Sequence, residues 1–159
     1  MQKVRRKSRT FGVHYIDLRP MFENEDYAAK TMDEEVTGEY FTANGERVRS
    51  KSEIIIADHL RRYGVVYKYE KPLELTVHGR RVSFYPDFTV MNSRTGRIYY
   101  LEHFGMMDNE DYYNAVLRKL DAFEMNQLLI GRDVLLLHES SSAPLNTRVL
   151  DCYIQEYLV

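Results

Sequence analysis

The chain has a single cysteine, Cys152. That excludes a disulfide framework and a cysteine-based zinc site within one chain, and a reducing, cytoplasmic setting is expected. No apolar run approaches the length of a membrane span, so no membrane partner is expected. The basic residues near the N-terminus are not followed by an apolar stretch, which argues against a secretory signal. No pair of the five histidines has helical metal-ligand spacing with a third ligand nearby, so a zinc enzyme is also excluded. Internal repeats and low-complexity tracts are absent as well. What remains is an ordinary globular composition, 44 % hydrophobic and 29 % charged. At 159 residues it is long enough for one domain with a proper core.

Charge is unevenly spread behind a net value of −2. Residues 45–97 carry eleven Lys/Arg against six Asp/Glu, and residues 98–139 carry three against eight. The first stretch could supply phosphate contacts and the second metal ligands, although chance segregation of solvated charges gives the same pattern. Lys3, Arg5, Arg6, Lys7 and Arg9 make residues 1–10 a basic arm. Residues 1–44 are read as this arm with an extension, in which Asp26 to Val36 has a weak helical pattern ending at Thr37-Gly38. Residues 45–159 are read as the domain.

The centre of the sequence is a pair of predicted strands, Tyr85-Pro86-Asp87-Phe88-Thr89-Val90 and Tyr99-Tyr100-Leu101-Glu102-His103-Phe104-Gly105, with the turn cluster Asn92 to Gly96 between them. A loop from Ser93 to Gly96 pairs Asn92 with Arg97 and, continued along the register, sets Asp87 opposite Glu102. Cross-strand neighbours have Cβ atoms roughly 4.5–5.5 Å apart, where like charges repel. A divalent cation between the carboxylates removes the repulsion, because it prefers hard oxygen ligands. A register shifted by one, with both acids on a solvated face, is the alternative.

Two further side chains stand where an ordinary residue would not. Ile54 to Tyr63 reads as a helix ending at Gly64, and Glu53 opens its apolar face with Ile56, Ala57 and Leu60. A carboxylate facing a core is costly without a partner. Ser50 and Glu53 also fit a capping box, which would explain Glu53 without any site. A later helix is predicted from Asp108, as N-cap, to about Asn126, with Tyr112, Ala115, Val116, Leu120 and Phe123 as its stripe. Lys119 falls inside that stripe, whereas Arg118 faces Asn114 and Asp121. Snorkelling along an apolar edge would account for Lys119 equally. Val65 to Tyr69, Leu73 to Val77 and Val134 to Leu137 read as strands, and Pro144 to Leu158 as a closing helix. The order predicts an α/β fold with a mixed central sheet flanked by helices.

Over about residues 45–158 these features resemble the PD-(D/E)XK nuclease superfamily, in particular a bacterial and phage branch of it. Pro86-Asp87 matches the PD element, Glu102 the acidic residue on the next strand, and Glu53 the acidic residue often found on the first core helix. The resemblance implies a restriction-endonuclease-like core in αβββαβ order. It further implies a phosphodiesterase that uses Mg²⁺ or Mn²⁺ to cleave nucleic acid, most naturally DNA. Asp87, Glu102 and Glu53 would be the metal ligands, with a backbone carbonyl at Leu101 or His103 as a further ligand. The superfamily's lysine would stand two residues after Glu102, where this chain has Phe104. Some members supply that lysine from the following helix, and Lys119 fits the pattern as a fourth catalytic residue. Arg47, Arg49, Lys51, Arg80 and Arg81 are the candidate phosphate contacts. The missing lysine also admits a module that keeps the fold and binds nucleic acid without cleaving it.

Overall fold

The computed structural model describes residues 16–31 and 38–159. The basic arm of residues 1–10 lies outside them. The first element is a short helix, α1 (Arg19–Glu23), with Pro20 in its first turn and Phe22 buried. Residues 26–31 are not helical, contrary to the expected helix from Asp26, and residues 32–37 lie outside the described chain. A small hairpin, β1 (Tyr40–Phe41) and β2 (Arg47–Val48), turns at Asn44-Gly45. The 44/45 division of the chain therefore passes through that turn.

Helix α2 (Lys51–Arg62) starts where the sequence places its cap: Ser50 is extended, and its Oγ accepts from the Glu53 N–H at 3.2 Å. It stops at Gly64, whose φ of +69° a side chain would strain. Strand β3 (Val66–Tyr69) follows, then β4 (Leu73–Val77) and β5 (Arg80–Phe84) as a separate two-stranded hairpin. Its two-residue turn, His78-Gly79, has positive φ at both positions, the geometry that matches strand twist. Strand β6 (Phe88–Met91) begins three residues later than the sequence suggests. Pro86 lacks the N–H a ladder needs, so Tyr85 to Asp87 form a bend between strands.

Strand β7 (Ile98–Phe104), helix α3 (Glu110–Met125) and strand β8 (Val134–His138) form a parallel crossover unit. The cap of α3 is Asn109, whose Oδ1 accepts from Tyr112 N–H at 2.9 Å, and not the expected Asp108, which bonds Ser141 instead. The closing helix, α4 (Thr147–Tyr153), starts later than Pro144 and passes into a π-helical turn over Ile154–Leu158.

The main sheet has the order β3-β6-β7-β8, antiparallel except for the parallel β7/β8 pair. The fold is thus α/β with a mixed sheet between helical layers. On one side α2, α4 and the terminal turn bury Ile56, Leu60, Leu150 and Ile154 against Phe88, Val90 and Leu101. On the other, Ala122 and Phe123 of α3 pack on Val134 and on Leu75 of the β4-β5 hairpin. Thr76 of β4 exchanges both backbone hydrogen bonds with the Asn126 amide, at 2.9 and 3.0 Å, which fixes the hairpin to the end of α3. Among the described residues no helix is long and apolar enough to cross a membrane.

Candidate active site

The Asn92 N–H donates to the Arg97 carbonyl at 2.9 Å, and the ladder runs on through Val90↔Tyr99 and Phe88↔Leu101. This is the register that sets Asp87 opposite Glu102. On the other side of β6, Tyr69 pairs with Phe88, so Glu70 lies next to Asp87, and its N–H donates to the Asp87 carbonyl at 3.0 Å. Three consecutive strands thus bring Glu70, Asp87 and Glu102 into one row at the end of the sheet. The Asp87 side chain is itself anchored to the neighbouring strand, with Oδ2 accepting from the His103 N–H at 2.7 Å.

Glu102 is 1 % exposed. Its Oε2 meets the Lys119 ammonium at 2.6 Å, and its Oε1 is buried with no hydrogen-bond partner. Burial, then the negative charge of Asp87, pushes its carboxyl up to about 8, with Lys119 pulling the other way. Lys119 projects from α3 and also donates to the Tyr85 carbonyl at 3.2 Å. Burial disfavours its ammonium, but the charges of Glu102 and Asp87 outweigh that and hold its pKa above the ordinary lysine value. The position in the helical stripe is therefore more than snorkelling: the ammonium ends on a buried carboxylate.

Glu53 reaches the same end of the sheet from α2. It is 7 % exposed, and its Oε2 accepts from the Arg49 N–H at 2.7 Å and the Tyr69 hydroxyl at 2.8 Å. Burial first, and Asp87 second, pushes its carboxyl to about 7. Half of the capping box forms, through Ser50, but the Glu53 carboxylate passes its own N-cap and takes the preceding N–H. One residue thus serves the helix start and the acidic cluster together.

Glu70 is the member that the sequence did not single out. It is buried and held by Arg49, with Nε to Oε1 at 2.7 Å and Nη2 to Oε2 at 3.2 Å. Arg49 also donates to the Thr31 carbonyl at 3.1 Å. Its guanidinium is thus engaged within the fold, by Glu70 and the Thr31 carbonyl. Arg47, Lys51, Arg80 and Arg81 are exposed, the last two on the β4-β5 hairpin. His103 points to the opposite face from Glu102, as alternation requires. Its Nε2 lies 3.4 Å from Glu139, which accepts from Ser52 Oγ at 2.9 Å and Leu145 N–H at 3.1 Å.

Among the described residues, no three His, Cys, Asp or Glu side chains are grouped into a ready metal cage. Mg²⁺ keeps several waters and takes only one or two carboxylates, so it would need fewer protein ligands than such a cage. Glu102 Oε1, buried and unpartnered, and the neighbouring Asp87 are the groups a hard cation could use.

No family model matches the chain. It is 30 % identical over 123 residues to an uncharacterized protein of Methanocaldococcus jannaschii, a match covering 69 % of this chain and 10 % of that protein. The chain therefore spans a small part of the relative's length.

Proposed function

We propose that the chain is a metal-dependent nuclease with a restriction-endonuclease-like core, cleaving phosphodiester bonds of DNA. The observation that carries this reading is the row of Asp87 and Glu102 with the Lys119 ammonium on Glu102 Oε2 and the other Glu102 oxygen left without a partner. The order α2, β3, β6, β7, α3, β8, with the β4-β5 hairpin inserted after β3 and the last strand parallel to its neighbour, supports it.

Asp87 and Glu102 would hold Mg²⁺ or Mn²⁺, with Glu53 assisting directly or through water. The bound ion supplies Lewis-acid stabilisation of charge on the scissile phosphate and makes a nucleophilic water available at neutral pH. Lys119 keeps its proton beside two carboxylates, which suits it to balance the negative charge that develops on the phosphate rather than to act as the base. Glu53, with a carboxyl near 7, is poised to accept a proton from water at working pH. Arg47, Lys51, Arg80 and Arg81 would contact flanking phosphates without reading sequence.

The test is cleavage of labelled DNA in Mg²⁺ or Mn²⁺ by wild type and Asp87→Ala. Cleavage by wild type alone is expected. Phe104 in place of the superfamily's lysine favours a second reading, a non-cleaving nucleic-acid-binding module. DNA binding without turnover in either metal would establish that reading instead.

A further inference from the structure

A groove of about 580 Å³ runs between the β4-β5 hairpin and α3. Its walls are apolar, from Val77, Val82 and Phe84 on the hairpin and Ala122 and Met125 on the helix. Val82 is 41 % and Met125 52 % exposed, a hydration cost that folding alone does not require. The paired Thr76–Asn126 hydrogen bonds fix the hairpin to the end of α3 beside this groove. Lys119, whose ammonium touches Glu102, is part of the lining. Arg118, Asp121 and His78 complete the polar part of the lining, and the exposed Arg80 and Arg81 follow His78-Gly79 on β5.

We propose that this groove takes an unpaired nucleobase next to the phosphate being cut, so that the substrate is single-stranded DNA. The inference rests on the nuclease reading for the position of that phosphate. Continuity is the first argument: one residue, Lys119, forms the groove wall with its methylenes and the carboxylate site with its charge. A nucleotide whose phosphate is bound at the Asp87–Glu102 site would have this wall within reach of its base. Complementarity is the second. A base offers an apolar face at its centre and an anionic backbone at its border; the groove offers apolar walls, and Arg118 in the lining with the exposed Arg80 and Arg81 just beyond it outnumber the one lining acid, Asp121. Geometry is the third. In a duplex the faces are stacked and only base edges are presented, so the apolar walls have nothing to contact until a base is unpaired.

The test is fluorescence anisotropy in EDTA with a labelled single-stranded oligonucleotide, a hairpin duplex of the same composition, and single-stranded probes carrying one abasic position each. The double variant Val82→Thr/Met125→Gln keeps side-chain size and charge while removing the apolar wall, and Val149→Thr, on the distant α4, is the control. Wild type should bind the single strand about tenfold more tightly than the duplex. The double variant should lose about fivefold on the single strand with an unchanged salt dependence, because no phosphate contact is removed. One abasic position should reproduce that loss in wild type and add nothing in the double variant. Equal binding of duplex and single strand, or a double variant that binds like wild type, overturns the groove assignment. Cleavage in Mn²⁺ separates the two readings. Groove-dependent binding without cleavage removes the nuclease and keeps the base site. Duplex cleavage that ignores the groove variant does the reverse.

Discussion

Consecutive residues of β7 enter different polar sites. His103 turns towards α2, where its buried Nε2 stands 3.4 Å from Glu139 without a hydrogen bond, while Glu139 accepts from Ser52 Oγ and Leu145 N–H. Its acid is satisfied by neutral donors, and the cluster joins α2 to the sheet. Glu102 turns towards α3 and enters a surplus of charge. Glu53, Glu70, Asp87 and Glu102 converge there, with Arg49 and Lys119 as the cations paired with them. Arg49 pairs with Glu70 and Lys119 with Glu102, while the charge of Asp87 pushes up the carboxyls of Glu53 and Glu102 and helps hold the Lys119 proton. One cluster ties α2 to the sheet through Glu139, whereas the other gathers acids pushed up by burial and by one another.

The largest expected effect separates these two sites through activity. Lys119→Met keeps the apolar stem and should retain the fold, while cleavage falls about a hundredfold or more in a single-turnover assay. His103→Leu should do the opposite: stability drops by about 1–3 kcal/mol in urea unfolding while the folded fraction cleaves normally. A His103 variant with an intact fold and no activity would erase the distinction.

The next effect is on stability against pH. Glu53 and Glu102 bind their protons more tightly in the folded chain than in the unfolded one. Their contribution is therefore fully present below pH 4.5 and is lost as pH rises through about 7 for Glu53 and about 8 for Glu102. The Glu53 displacement alone corresponds to about 3 kcal/mol. Urea midpoints of the metal-free protein should fall between pH 5 and pH 8.5, and Glu53→Gln should flatten the curve. At pH 5, where Glu53 is protonated, the same substitution should leave stability within about 0.5 kcal/mol, since Gln also accepts the Arg49 N–H. A flat wild-type curve would mean that these carboxyls are not crowded.

Asp87→Asn should give a smaller effect with the reverse sign. The amide oxygen can still accept from the His103 N–H, and the charge that raises both neighbours is gone. The metal-free melting temperature at pH 8 should rise by about 3 °C, as expected when about 1 kcal/mol of repulsion is relieved in a chain of this size.

Most of this site could be read from local pattern. The turn Asn92 to Gly96 set the register of Asp87 against Glu102, because hairpin pairing follows from loop length. Helical spacing placed Lys119 on the inner stripe and Glu53 at the start of an apolar face. Ala115, assigned to the same stripe as Lys119, is exposed, since the hairpin groove rather than the sheet lies beside it. Glu70 escaped because its place in the row depends on β3 pairing with β6 across an inserted hairpin, which no local periodicity encodes. The Arg49–Glu70 pair is hidden for the same reason: it joins the residue before the α2 cap to the end of β3. The shorter β6 follows from Pro86, which lacks the N–H that a ladder needs.

Isothermal titration of Mn²⁺ into wild type and Asp87→Asn at pH 7, repeated in buffers of different ionisation enthalpy, tests the central claim most directly. The account predicts that wild type binds the ion and releases protons, because Glu53 and Glu102 hold protons that a cation displaces, and that Asp87→Asn loses most of the affinity. Equal binding by the two proteins, or binding without proton release, would contradict it.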